Sequence, residues 1–151
     1  MKKILITIVA VLLVGCGEPL YEASKEGKTD EVKKLLAEGA NINSTTDYYS
    51  ETPLHFAAEN SQTEVVQLLI DKGADLNAKA KWERTPLLGA AKTGNADIIK
   101  LLTEAGADPN QKDFENKTPL DEAIKAKATE TANLLRKNGG KTGEELKAEG
   151  K

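Results

Sequence analysis

One phrase returns at a fixed interval, and that interval restricts the fold more than any other feature of the chain. Thr52-Pro53-Leu54-His55-Phe56-Ala57-Ala58 recurs as Thr85-Pro86-Leu87-Leu88-Gly89-Ala90-Ala91 and again as Thr118-Pro119-Leu120-Asp121-Glu122-Ala123-Ile124, each copy 33 residues after the last. A fainter copy, Glu18-Pro19-Leu20-Tyr21-Glu22-Ala23, stands one step of 34 earlier. A second phrase keeps the same beat as VKKLLAEGA (32–40), VQLLIDKGA (66–74), IKLLTEAGA (99–107) and ANLLRKNGG (132–140). Two phrases in one register mean stacked supersecondary units, each burying its apolar face against its neighbours.

The chemistry of one unit predicts two helices. Thr before Pro is a helix start, because the hydroxyl caps an orphan N–H and proline at the first helical position has no N–H to lose. Leu54, Ala57 and Ala58 then fall on one helical face. A polar turn such as Asn60-Ser61-Gln62 follows. The second helix carries acids in its first turn (Asp30, Glu31, Glu64, Asp97, Glu130), which suits the positive end of the helix dipole. Gly39, Gly73, Gly106 and Gly139 end it as left-handed caps. Segments such as 77–84 between units are too polar and too short for helix.

The TPLH-x-AA phrase at this period, with GAD-x-N after the second helix, resembles the ankyrin repeat. The resemblance runs from residue 18 to about 140 and implies an all-α solenoid of about four helix-turn-helix repeats with hairpin or loop fingers, at 19–51, 52–84, 85–117 and 118–140. At ~8–10 Å between packed helices, such a stack is roughly 30–40 Å long. The family's Asp-x-x-Gly finger tip is read with Asp at Asp47 and Asp113, Ala80 in the middle finger, and Ser50, Glu83 and Asn116 in place of Gly. His55 is expected to bond the Thr and backbone of neighbouring turns. The last unit replaces the inward Ile98 and Ile99 with Thr131 and Ala132, and a polar end suits a capping repeat. The tail 141–151 offers a capping box at Thr142 and Glu145, with Leu146 placed to cover the last unit.

The N-terminus predicts export. Residues 1–15 place Lys2 and Lys3 before an apolar run from Ile4 to Val14, the pattern of a secretory signal. The run is about half the ~20 residues of a spanning helix. Leu13-Val14-Gly15-Cys16 resembles the lipobox of bacterial lipoproteins, which implies a diacylglycerol on the Cys16 thiol and a tether of residues 16–18. Cys16 is the sole cysteine, so no internal disulfide is possible. Two or three acyl chains anchor stably at about 0.8 kcal/mol per buried methylene. Gly17, rather than Asp, follows the cysteine; by the same resemblance this favours the outer membrane, facing the periplasm.

Composition narrows function. Removing residues 1–15 leaves 19 basic against 24 acidic residues, so nothing draws the chain toward nucleic acid. His55 is the sole histidine and makes neither a zinc set nor a nucleophile–base pair. Gly140-Lys141-Thr142 lacks the upstream glycine of a phosphate loop, since Leu135 stands there. No enzyme activity, cofactor or small-molecule substrate is implied, and a monomer is expected.

Binding is expected at the fingers. The chain has six aromatic residues. Tyr21 and Phe56 lie in helices, whereas Tyr48, Tyr49, Trp82 and Phe114 lie in polar connectors. Trp82 is flanked by Lys79, Lys81 and Arg84, so the middle finger reads as a basic, aromatic spot on an acidic protein. Rigid rings beside positive charge suit a protein interface; alternatively, the rings pack over neighbouring fingers. The function expected is an adaptor or inhibitor binding a protein of the bacterial envelope, and the alternative is a structural subunit of a permanent envelope complex.

Overall fold

The computed structural model describes residues 18–151. The expected signal segment and Cys16 lie outside them. Among the described residues the chain is helical and has no strand: α1 (Glu18–Glu26), α2 (Thr29–Ala37), α3 (Pro53–Glu59), α4 (Thr63–Asp71), a short 3-10 turn (Lys81–Glu83), α5 (Pro86–Thr93), α6 (Ala96–Glu104), α7 (Pro119–Lys125), α8 (Thr129–Lys137) and α9 (Gly143–Ala148).

The helix starts follow the Thr-Pro chemistry. The hydroxyls of Thr52, Thr85 and Thr118 accept the backbone N–H groups of His55, Leu88 and Asp121. Proline occupies the first turn of each helix. In α1, which has no threonine, the helix begins at Glu18, one residue before the expected start at Pro19. Between the two helices of each unit the chain turns through a left-handed residue at one equivalent place: Gly27 (φ 72°), Ser61 (58°), Gly94 (73°) and Lys127 (57°).

The first helices α1, α3, α5 and α7 pack in one row and the second helices α2, α4, α6 and α8 in another, with each unit's pair joined across the rows. Leu20, Leu54, Leu87 and Leu120 take equivalent places along this ladder and are at most 1% exposed. Full burial of a leucine contributes about 1.5–3 kcal/mol, so one residue per unit already ties each repeat to its neighbours. Val32, Val65, Val66, Ile98 and Ile99 complete the core from the second row. An asparagine ladder joins the units beyond the second helices. Asn43 Oδ1 accepts the Asp75 N–H at 2.9 Å, Asn77 Oδ1 that of Asp108 at 2.8 Å, and Asn110 Oδ1 that of Lys141 at 2.8 Å.

The last unit ends differently from the expectation. Thr131 is not part of a polar outer face; it is buried, and its hydroxyl donates to the Gly94 carbonyl of the preceding unit at 3.0 Å. The tail supplies the outer closure. Thr142 and Glu145 form a reciprocal capping box at the start of α9, and Leu146 is buried. The Gly143 N–H donates to Asp121 Oδ2 at 2.8 Å, and the Thr118 hydroxyl donates to the Lys141 carbonyl at 2.7 Å. A Cβ at Gly143 would stand 2.1 Å from the Asn116 carbonyl oxygen. Helix α9 therefore lies against the third finger, where a fourth finger would otherwise run. The flank of α7 stays open: Ile124, equivalent to the fully buried Ala58 and Ala91, is 51% exposed.

Candidate functional site

Each finger closes on itself through one main-chain bond at the same register. The N–H of Thr46 donates to the Glu51 carbonyl (3.1 Å), that of Ala80 to Arg84 (2.8 Å), and that of Asp113 to Lys117 (2.9 Å). These pairs correct the reading of the first finger. The position of Asp113, whose Oδ1 accepts the Lys117 N–H at 2.9 Å, falls on Thr46 and not on Asp47. Thr46 Oγ1 accepts the Glu51 N–H at 3.2 Å. The first finger is one residue longer than the others, and the added length accommodates two tyrosines. Ser50, Glu83 and Asn116, in place of the family's glycine, share a left-handed backbone (φ 53°, 60° and 61°).

Adjacent fingers are also bonded to each other through main chain. The Lys81 N–H donates to the Tyr49 carbonyl at 2.7 Å, and the Phe114 N–H to the Trp82 carbonyl at 3.1 Å. This register places Tyr49 and Trp82 at equivalent positions in consecutive fingers. Their rings lie 5.9 Å apart, Trp82 and Phe114 6.4 Å, and Tyr48 and Tyr49 4.7 Å in an edge-to-face pair. All fall within the range of favourable aromatic pairing. The rings nonetheless remain open to solvent: Tyr48 is 70% exposed, Tyr49 42%, Trp82 44% and Phe114 61%. The four aromatics form one continuous, exposed row over three finger tips, so mutual packing and surface display occur together.

Trp82 itself adopts φ 62°, ψ 29°, followed by a second left-handed residue in Glu83. A left-handed residue other than Gly or Asn costs roughly 1–2 kcal/mol. The middle finger carries two such residues in succession where the first carries one, Ser50, so it is the most strained, and part of that strain sits on the largest ring.

The positive charge around Trp82 is smaller than the sequence suggested. Lys79 Nζ pairs with Glu83 at 2.7 Å. Arg84 does not project from the tip. Its guanidinium reaches inward to the carboxylates of Glu51 (2.9 Å) and Glu59, and is only a quarter exposed. Gly89 makes room for this arrangement, since a Cβ there would come within 2.6 Å of Glu59 Cγ. Arg84 therefore ties its finger to the first finger through Glu51 and to α3 through Glu59, with a quarter of its side chain left open. Burial, and next the adjacent Glu59, raise the Glu51 carboxyl above its ordinary value against the pull of Arg84. Only Lys81 differs: among the described residues no carboxylate lies within ion-pair distance of it, and its Nζ sits 3.7 Å from the centre of the Tyr48 ring.

Sequence reasoning missed Glu51 and Glu59. The signal for Glu51 was present, because opposite charges at equivalent positions of consecutive repeats, Glu51 and Arg84, stand one period apart. Below the fingers, His55 is 1% exposed. Its Nδ1 faces the Thr52 hydroxyl (2.8 Å) and accepts the Thr52 N–H (3.2 Å), so Nε2 carries the proton donated to the Arg84 carbonyl at 3.0 Å. Burial pushes its pKa down to about 4. Between finger and helix row, a groove of about 230 Å³ is lined by Trp82, Arg84, Leu88, Lys92, Phe114 and Lys125, among others.

Helix pairs in register, with fingers joined tip to tip, define a repeat solenoid that presents a ribbed edge. A family model described as "Ankyrin repeats (3 copies)" matches residues 4–80 and 75–145, and the chain belongs to the ankyrin repeat family. It is similar to GA-binding protein subunit beta-2 of Mus musculus and GA-binding protein subunit beta-1 of Homo sapiens. Each is 48% identical over 46 residues, 30% of this chain and 11% of the relative. Ankyrin repeat and KH domain-containing protein 1 of Homo sapiens is 58% identical over 33 residues, 22% of this chain and 1% of that protein. The chain thus spans about a tenth or less of the length of these relatives.

Proposed function

We propose that this protein is a lipid-anchored, non-enzymatic binding module of the bacterial cell envelope that grips a protein partner along its finger tips. The observation that carries the reading is the exposed row of Tyr48, Tyr49, Trp82 and Phe114, held on fingers whose backbones are bonded to each other. Ankyrin repeats are a protein-interaction architecture, and two of the similar proteins are named as subunits, which supports an assembly role. Large, rigid rings lose little entropy on contact and dominate interface energetics. The anchor is assigned to Cys16 from its lipobox, with the outer membrane as destination. The partner is then an envelope protein near the same surface.

Two measurements test this. Metabolic labelling with palmitate, comparing the wild type with Cys16→Ser, reads the anchor directly; equal labelling of both refutes it. Crosslinking in intact envelopes followed by purification identifies the partner. Trp82→Ala is expected to lose at least about 2 kcal/mol of partner affinity, the scale of a hot spot. Undiminished capture by that variant refutes the aromatic row as the contact. A stoichiometric partner that survives high salt would instead mark a permanent structural subunit.

A further inference from the structure

The three cations of the middle finger are held in two different ways. Lys79 and Arg84 each face a carboxylate, as strongly hydrated or fork-shaped donors do. Lys81 faces rings. Its Nζ lies 3.7 Å from the centre of Tyr48, 5.1 Å from Trp82 and 5.4 Å from Tyr49, all inside the ~6 Å range of cation–π attraction. Three aromatic faces from two fingers converge on one positive charge.

We propose that Tyr48, Tyr49 and Trp82 form a receptor for a quaternary ammonium group, which Lys81 occupies as an internal stand-in. A site offering rings and no carboxylate selects a cation that makes no hydrogen bonds and sheds water readily, and a trimethylammonium group has both properties. An ammonium such as lysine's has three donors to satisfy and is the poorer fit. The geometry leaves a route for exchange. The Lys81 backbone is fixed by its bond to the Tyr49 carbonyl, so the flexible side chain can swing out without disturbing the finger. The cage is built before any ligand arrives, because the added residue of the first finger and the left-handed backbone of Trp82 bring the rings together. Such a group is found on free choline-type solutes and on choline lipid headgroups. The site shares Tyr48, Tyr49 and Trp82 with the proposed protein-binding row, but its probes are small cations, so the failure of either reading is distinguishable from that of the other.

Trp82 is the sole tryptophan, so its emission reports this site alone. The purified full chain is titrated with tetramethylammonium chloride against sodium chloride and ammonium chloride of equal ionic strength. A saturable change with the quaternary cation alone is expected. Lys81→Gln removes the competitor and is expected to bind about two- to fivefold tighter, the worth of one exposed cation–π contact. Tyr48→Leu is expected to weaken binding by a similar factor, with an unchanged far-ultraviolet circular dichroism spectrum. Choline and monomeric dihexanoyl-phosphatidylcholine then separate the sources: tighter binding of the lipid favours a headgroup, and equal binding favours a free solute. Dihexanoyl-phosphatidylglycerol acting as well as the choline lipid overturns the proposal. So does a saturable response in neither the wild type nor Lys81→Gln, or a weaker response in Lys81→Gln.

Discussion

The neutral, buried imidazole of His55 should make the whole stack acid-sensitive within a defined window. Folded, the ring has a pKa of about 4, against 6.5 when unfolded. Between these values the unfolded chain binds the extra proton and the folded one resists it, so stability is lost as pH falls through the window. From pH 7 to pH 5 the expected loss is about 2 kcal/mol, approaching about 3 kcal/mol once pH reaches the folded value, at 1.36 kcal/mol per unit. The main origin is burial, which penalises the charged ring; a second ring proton on Nδ1 would also displace the N–H that Thr52 donates to it. The raised Glu51 carboxyl acts in the opposite sense, favouring the fold as pH falls. It is shared with a His55→Leu variant, so the difference between the two proteins isolates the histidine. Leucine is a fair replacement because Leu88 fills the equivalent place, 4% exposed, in the next unit. Urea denaturation at several pH values should show the wild type losing about 2 kcal/mol more than His55→Leu between pH 7 and pH 5, or roughly 5–10 °C of melting temperature. As the sole histidine, His55 also gives one unambiguous ring signal by NMR. Parallel stability curves for the two proteins, or an NMR titration midpoint near 6.5, would refute the reasoning.

Further outcomes follow from other parts of the fold. Gly143→Ala should drive α9 off the third finger, because the new Cβ meets backbone and not a movable side chain; a loss of about 1–3 kcal/mol is expected in thermal melts. Leu146→Ala should cost about 2–4 kcal/mol through the same cap, with faster amide exchange in residues 112–117. Ser50→Gly should raise stability by about 0.5–1 kcal/mol, by removing a side chain from a left-handed position. Arg84→Lys, which keeps the charge but loses the planar guanidinium whose Nη2 donates to both Glu51 and Glu59, should lower the melting temperature.

What the sequence disclosed was whatever depends on neighbours in the chain. The Thr-Pro starts, the Leu ladder and the capping box at Thr142 are local devices, and each acts where its residues stand. What it concealed depends on partners a full repeat away. Arg84 reads as surface charge beside Lys81, yet its carboxylates come from residues 25 and 33 positions earlier. Thr131 reads as a polar edge because its partner, the Gly94 carbonyl, carries no side-chain signature. The register slip at Asp47 has the same cause: Asp and Thr both accept a turn N–H through a side-chain oxygen, and only the Thr46–Glu51 backbone pair decides between them. The aromatic tips were legible as outliers in polar connectors, but the convergence of Tyr48, Tyr49 and Trp82 on one ammonium was not.

The tip-to-tip bonds between successive fingers, Lys81 to Tyr49 and Phe114 to Trp82, use only amide and carbonyl groups, which every residue except proline possesses. The contour of the ribbed edge is therefore insulated from the identity of the side chains mounted on it. Substitution at a tip rewrites what the edge recognises while leaving its scaffold in place, so specificity can drift under selection with little toll on folding. A visiting molecule meets a surface whose ordering cost was settled during folding, which leaves more of the contact energy for holding on.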